Sequence, residues 1–252
     1  MYRERPAPAP LASVVECFWS RELPEADEED RAVVLPDGRV DLVWIAGAEP
    51  LVAGPQTRFV PRPLASPGVA IGVRFHPSAG PPLLGLPAHE LVDMHVPLSD
   101  VDTSRASALR LRLPAVLEPD EAGSAIATAL GRWLAAAEAP DRAVRAAVRL
   151  LDTPGASVAS VAHAVGYSER ELRRRFRECV GYGPKTLQRV LRFQRVLDRL
   201  RPQAEPTALR VGLAADSLAG LAAAAGYSDQ AHMTRETREL SGLTPVELAR
   251  SR

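Results

Sequence analysis

Cysteine is almost missing from this chain: Cys17 and Cys179 are the only two among 252 residues. Far apart in sequence, they offer no disulfide framework and no metal-ligand spacing, which suits a reducing, cytoplasmic compartment. No apolar run reaches the roughly 20 residues of a membrane span. The opening stretch, MYRERPAPAPLASVVECFW, lacks the apolar core of about 7–15 residues that marks a signal peptide. Enzyme signatures are missing too: there is no nucleophile elbow, no phosphate-binding glycine loop and no paired-carboxylate pattern. His76, His89 and His95 form no His-x-His or His-x-x-x-His pair that would begin a metal site. Cys17 lies in an apolar run, where a packed small side chain is expected rather than a reactive thiol. No catalytic residue, metal or cofactor is therefore expected.

Net charge is also absent, but by cancellation. Residues 1–139 hold 12 arginines against 19 Asp and Glu, a balance of −7, and residues 140–252 hold 19 basic against 12 acidic, +7. A nucleic-acid-facing half joined to something else produces such an asymmetry. The length fits two domains, expected at 1–139 and 140–252.

The first half consists of short apolar runs punctuated by Gly and Pro. They fall at residues 14–19, on either side of Pro36-Asp37-Gly38, and at 69–75. Val40, Leu42 and Trp44 alternate with Asp41 and Val43, as a strand facing a core would. Pro36-Asp37-Gly38 suits a tight turn, residues 24–31 and 54–58 read as loops, and HELVDM starts a helix or turn. These features predict a small antiparallel β barrel or sandwich within an α+β chain. Helical texture follows, near 104–113 and again from about 119 to 137. Ile126, Leu130, Trp133 and Leu134 make one apolar stripe, which either packs on the β domain or forms a dimer seam. Trp19, Trp44 and Phe75 are candidates to line an effector pocket, with a place in the core as the simpler reading.

The second half repeats itself. SVASVAHAVGYSERELRRRFRECVGYGP (157–184) and SLAGLAAAAGYSDQAHMTRETRELSGLTP (217–245) align at an offset of 60 through Gly-Tyr-Ser. Beyond that turn the offset is 61, matching Leu172 with Met233, Arg174 with Arg235 and Gly181 with Gly242. A helix, a glycine turn, a second helix and a Gly-x-x-Pro stop, present twice, outline two helix-turn-helix units at about 157–180 and 217–240. Ser157 and Ser217 are expected N-caps, Gly166 supplies a positive φ, Ser168 with Glu171 reads as a capping box, and Ser228 or Asp229 caps the last helix. Leu172, Phe176 and Val180 mark the buried side. Arg170, Arg173, Arg174 and Arg177 recur at i, i+3, i+4 and i+7, placing four guanidinium groups on the other side, with Glu169 and Glu178 nearby. Arginines so placed bond phosphates or read guanine in the major groove. In the second unit the outward set is Ala231, Thr234, Arg235 and Arg238, with Gln230 also positioned to read base edges. Four arginines against two make the first unit the expected source of most of the affinity. Between the units, residues 184–200 form a proline-started helix of about 25 Å.

The region from about Asp141 to Arg252 resembles the DNA-binding domain of the AraC/XylS family of bacterial transcription regulators, in its paired units, AxAxGYSDQAHMTRETRELSGLTP and the connecting helix. The resemblance implies base-reading roles for Arg170, Arg173 and Arg174, and for Gln230, Ala231, Thr234 and Arg235. Thr237 stands where the family usually carries an aromatic core residue, and the connector after Leu200 is long. The stretches VECFW, LPDGRVDLVW, AGPQTR and GVRFHPSAGPPLLGLPAHEL resemble sensor domains found in some of these regulators. That implies a jelly-roll-like domain that binds a small effector or makes a dimer. Double-stranded promoter DNA is the expected partner, with an effector, RNA polymerase and a second copy of the chain as further ones, and activation as the expected effect. A first half with no ligand, serving only dimerisation or partner contact, is the alternative. An enzyme with an appended DNA-binding module is a remote one.

Overall fold

A computed structural model describes residues 2–23, 32–45, 48–62, 68–110, 119–200 and 215–250. The loop expected at 24–31 and most of the long connector after Leu200 lie outside the described residues.

Eight strands come first: β1 (Tyr2–Pro6), β2 (Val15–Leu23), β3 (Ala32–Val34), β4 (Asp41–Ile45), β5 (Leu51–Ala53), β6 (Val60–Arg62), β7 (Gly68–Phe75) and β8 (His95–Pro97). Six form one sheet in the order β1-β2-β7-β4-β5-β8, and β3 pairs with β6 in a second. All pairings are antiparallel, as the alternating patterns require. β7 lies inside the sheet between β2 and β4, which suits its nearly continuous apolar run. The runs flanking Pro36-Asp37-Gly38 do not pair with each other. The turn instead carries the chain from the small sheet to the large one.

Val40, Leu42 and Trp44 face a core shared with Val15, Phe18, Ile71, Val73 and Phe75. That core is closed by α1 (Gly80–Leu84), α2 (Leu98–Val101), α3 (Thr103–Arg110) and α4 (Pro119–Ala136). The α4 stripe resolves in favour of the β domain: Ile126 and Leu130 are fully buried in this core, and Trp133 and Leu134 pack at its margin. HELVDM becomes a 3-10 turn, Ala88–Leu91, followed by a tight turn at Val92 and Asp93, where Asp93 takes φ +58°.

Among the described residues the second half holds only helices: α5 (Arg142–Leu151), α6 (Val158–Ala164), α7 (Glu169–Cys179), α8 (Pro184–Leu200), α9 (Ala215–Ala225), α10 (Gln230–Ser241) and α11 (Pro245–Arg250). α8 follows the expected 184–200 and supplies three separate clusters. Leu187 and Val190 pack with α5–α7, Val196 with α9 and α10, and Phe193 and Leu197 with Leu240 and Leu248. One helix is thus the common wall of both repeat units, so its rigidity sets the spacing between them. Among the described residues no helix is long and apolar enough to cross a membrane.

The halves touch at several points. The 3-10 turn packs against α7, and Val92 joins the cluster of the first unit. Leu35 packs on Phe193, Leu197, Leu240 and Leu248, while Gln194 on α8 donates a hydrogen bond to the Pro36 carbonyl.

Candidate nucleic-acid interface

Local signals build the two units as their sequences ask. Ser157 caps α6 by accepting from the Ser160 N–H at 3.0 Å, and Ser160 returns the bond to the Ser157 N–H. Gly166 takes φ +77° at the turn, and Ser168 caps α7 by accepting from the Glu171 N–H at 3.1 Å. Asp229, one residue after Ser228, caps α10 through the His232 N–H at 2.7 Å. The caps Ser168 and Asp229 are 61 residues apart while Gly166 and Gly226 are 60 apart, so Ser228 is the residue that lengthens the second turn. Two expectations need correcting. α9 begins at Ala215, so Ser217 lies in its first turn rather than at its cap. The capping box at Ser168 is half formed, because Glu171 turns its carboxylate to two guanidinium groups, a stronger partnership than a backbone N–H.

The arginine face of α7 is present as a surface. Arg170, Arg173, Arg174 and Arg177 are all exposed, while Leu172 and Phe176 are fully buried behind them. Acidic neighbours divide the four. Arg173 pairs with Glu169 at 2.7 Å, and Arg174 is held between Glu171 at 2.6 Å and Glu178 at 2.7 Å. Hydrogen bonds from Arg174 and then Arg175 draw the Glu171 carboxyl down to about 2, so it stays ionised at neutral pH. Arg170 and Arg177 make no ion pair among the described residues. On α10, Gln230, Ala231, Arg235 and Arg238 are exposed and Thr234 half-buried. The Thr234 hydroxyl donates to the Gln230 carbonyl at 2.9 Å, leaving its oxygen as an acceptor. Arg235 and Arg238 make no ion pair among the described residues.

Behind each face sits a brace that the sequence reading missed. Asp141 caps α5 through the Ala143 and Val144 N–H groups, accepts from the Tyr167 hydroxyl at 3.3 Å and pairs with Arg175 at 3.5 Å. Arg175 lies 5.9 Å from the Tyr167 ring centre. In the second unit Arg192 on α8 lies 5.2 Å from the Tyr227 ring centre and pairs with Glu236 on α10 at 2.9 Å. Arg189 adds a second bond to Glu236. The available signal was the repeated Tyr followed, eight or nine residues on, by an ionisable residue on the next helix.

The twin glycines of the two Gly-x-x-Pro stops have a further use. Gly181 and Gly242 adopt φ +100° and +76°, a left-handed conformation that side chains disfavour. Each is also where the first half docks. A Cβ on Gly181 would stand 2.8 Å from Val92 and 2.9 Å from Pro55, and one on Gly242 2.9 Å from the Phe59 ring. The first half therefore grips the far ends of α7 and α10 and leaves their arginine faces open.

The candidate effector residues separate. Trp44 and Phe75 are packed in the β core at 3% and 0% exposure. Trp19 borders two cavities, and its indole N–H donates to Asp41 at 2.9 Å. Cys17 is buried, and burial pushes its thiol up to about 11. It is therefore protonated at neutral pH, which disfavours a nucleophilic role.

Comparison with known proteins bears on both halves. Residues 161–251 match a family model described as a helix-turn-helix domain, and residues 3–97 match one described as a domain of unknown function (DUF6597). No curated protein matches the chain. A transcriptional regulator with an AraC-type DNA-binding domain from Chromobacterium violaceum is similar at 24% identity, with 43% of this chain and 90% of that one covered and a TM-score of 0.36. A probable AraC family transcriptional regulator from Rhodopseudomonas palustris gives 22% identity, 44% and 97% coverage, and 0.35. An apo ToxT variant from Vibrio cholerae aligns over 97% of this chain and 98% of its own, at 10% identity and 0.48. The helix-turn-helix match, together with the geometry of the two units, makes the C-terminal half a double helix-turn-helix domain.

Proposed function

We propose that this chain is a one-component, sequence-specific transcription regulator that binds promoter DNA through α7 and α10. Residues 140–252 are the DNA-binding domain and residues 1–139 a sensor that binds a small effector. The observation that carries the reading is the pair of exposed arginine faces, each on the second helix of a repeat unit whose opposite face is buried. α7 acts as the anchor and α10 as the second reader. The ion pairs on α7 do not undo this. Exposed pairs contribute only about 0–1 kcal/mol, so Arg173 and Arg174 exchange carboxylate for phosphate or guanine at small cost. Docking of the first half on Gly181, Gly242 and α8 supplies a route by which an event in the β domain reaches both units. Activation through contact with RNA polymerase belongs to this proposal.

A second reading, in which the first half only makes a dimer, is favoured by one observation: β1 is an edge strand exposed along its whole length.

Electrophoretic mobility shift with the chain's own upstream DNA tests the main reading. The wild type gives a discrete complex at moderate salt, and Arg173→Ala with Arg174→Ala lowers specific affinity at least tenfold, on the order of one to two base contacts. Unchanged specific affinity removes α7 from its role. Loss that is uniform over all sequences, with a shallower salt slope, marks the pair as phosphate contacts alone.

A further inference from the structure

The sheet face that carries β1, β2 and β7 is roofed by α4, and a cavity of about 160 Å³ remains between them. Its apolar floor is Phe18 and Ile71, and its roof is Gly123 and Ala127 of α4. Arg3 and Arg5 stand on the same side, in register with Ser20 and Phe18 across the β1-β2 ladder. Two features separate this cavity from a packing fault. First, α4 presents small residues here, and a Cβ built on Gly123 meets nothing within 4 Å. A glycine inside a helix costs about 1 kcal/mol against alanine, and no close contact requires it. Second, among the described residues the lining includes two arginines and no carboxylate. Cavities of roughly 150 Å³ with apolar walls admit a six-membered ring, and a guanidinium offers a forked pair of donors that matches a carboxylate.

We propose that this cavity is the effector site, and that it takes a small organic monoanion: a compact apolar body of about six carbons lying against Phe18 and Ile71, with its carboxylate on Arg3 and Arg5. The proposal rests on the sensor reading of the first half and adds the site and the ligand class. Both arginines have interactions of their own. A guanidinium carries five donors, so each can serve a second acceptor. The ligand bridges β1 to α4, and the chain leaving α4 reaches Asp141, the residue that caps α5 and holds Arg175 of α7.

Isothermal titration of the full chain with cyclohexanecarboxylate, its neutral amide and cyclohexylamine tests this. Three variants accompany the wild type: Arg5→Ala, Arg3→Ala and Gly123→Leu, the last filling the cavity from the roof, each checked for native circular dichroism. The carboxylate should bind at least tenfold more tightly than the amide, and the amine should not bind. Each arginine variant should lose at least fivefold for the carboxylate and little for the amide, and Gly123→Leu should abolish both. Equal affinity for carboxylate and amide, or binding that survives in a folded Gly123→Leu, overturns the proposal. Binding of the amine or amide alone, unaffected by Gly123→Leu, overturns the site while leaving a sensor in place. No binding of any probe at millimolar concentration overturns the ligand class. If a broader screen of neutral, cationic and anionic metabolites then leaves the melting temperature unmoved, the sensor reading fails as well.

Discussion

The two helix-turn-helix units share a frame and reverse its charges. Position 175 on α7 and position 236 on α10 correspond at the offset of 61, and one is arginine while the other is glutamate. In the first unit α7 supplies the cation and the N-cap of α5 supplies the acid, Asp141. In the second unit α10 supplies the acid and α8 supplies the cation, Arg192. In both, the cation lies near the face of the tyrosine from the Gly-Tyr-Ser turn, at 5.9 and 5.2 Å. What has been kept is a guanidinium against a tyrosine, closed by a carboxylate, a favourable arrangement whichever helix supplies each group. The settings differ in depth: the Glu236 side chain is 7% exposed and that of Arg175 39%.

The sharpest way to break the comparison exploits that difference in depth. Glu236 is held by Arg189 and Arg192, and its removal leaves two guanidinium groups around a nearly dry site. Glu236→Ala should cost about 3 kcal/mol of unfolding free energy, as loss of one partner in a buried pair does. Arg175→Ala removes a partly solvated cation and should cost no more than about 1 kcal/mol. Urea denaturation of both variants measures the contrast. Equal costs would mean that the two braces are equivalent despite their depth.

The docking glycines offer a second, smaller contrast. An alanine in left-handed conformation costs about 1–2 kcal/mol wherever it sits. At Gly181 the new Cβ also meets Val92, Pro55 and the main-chain oxygen of Ala88, all within about 3.1 Å. At Gly242 its three nearest atoms all belong to the Phe59 ring, which can turn aside. Gly181→Ala should therefore be the worse of the two, at about 3 kcal/mol against about 2. Limited proteolysis should also show the first half released from the second in Gly181→Ala before Gly242→Ala. An equal pattern would mean that the two halves grip both units alike.

Much of this was legible in the residues, and the unread part has a common cause. α8, α4 and both helix-turn-helix units follow from periodicity, proline starts, the serine caps of the first unit and the Asp229 cap of the second, signals that act within one or two turns. The braces left only the repeated Tyr and its following ionisable residue as a trace, because Asp141 and Arg175 lie 34 positions apart and Arg192 and Glu236 44 apart, and no local rule joins such pairs. Glu171 illustrates a different failure. Its place three residues after Ser168 satisfied the capping-box pattern, but two arginines on its own helix outcompete the backbone for its carboxylate. The same acids qualify the count of four arginines against two. Without an ion pair among the described residues stand Arg170 and Arg177 in one unit and Arg235 and Arg238 in the other, so the proposed anchor role of α7 depends on releasing Arg173 and Arg174. The β half showed β2, β3, β4 and β7 as apolar runs, but not β1, β5, β6 or β8, and not the pairing. β3 joins β6 across an interval of sequence that no turn signal announces.

The smallest expected effect lies at the third paired position. Phe176 fills the centre of the first unit, and 61 residues on stands Thr237, also fully buried. The Thr237 hydroxyl has no hydrogen-bond partner among the described residues. An unmatched buried hydroxyl costs about 1–3 kcal/mol, a price the first unit avoids with a ring. Valine has the same shape without the polar atom, so Thr237→Val should stabilise the chain by about 1 kcal/mol, read as a higher urea midpoint at unchanged slope. Phenylalanine at the same place is a harsher probe. The neighbours Met233 and Leu240 are already packed, so the extra volume strains a core built for a small residue. If Thr237→Phe were more stabilising than Thr237→Val, the second unit would hold unfilled space where the first has its ring, and the two frames would differ in packing as well as in charge. If Val gains and Phe loses, the second core is complete at its smaller size, and its one defect is the hydroxyl.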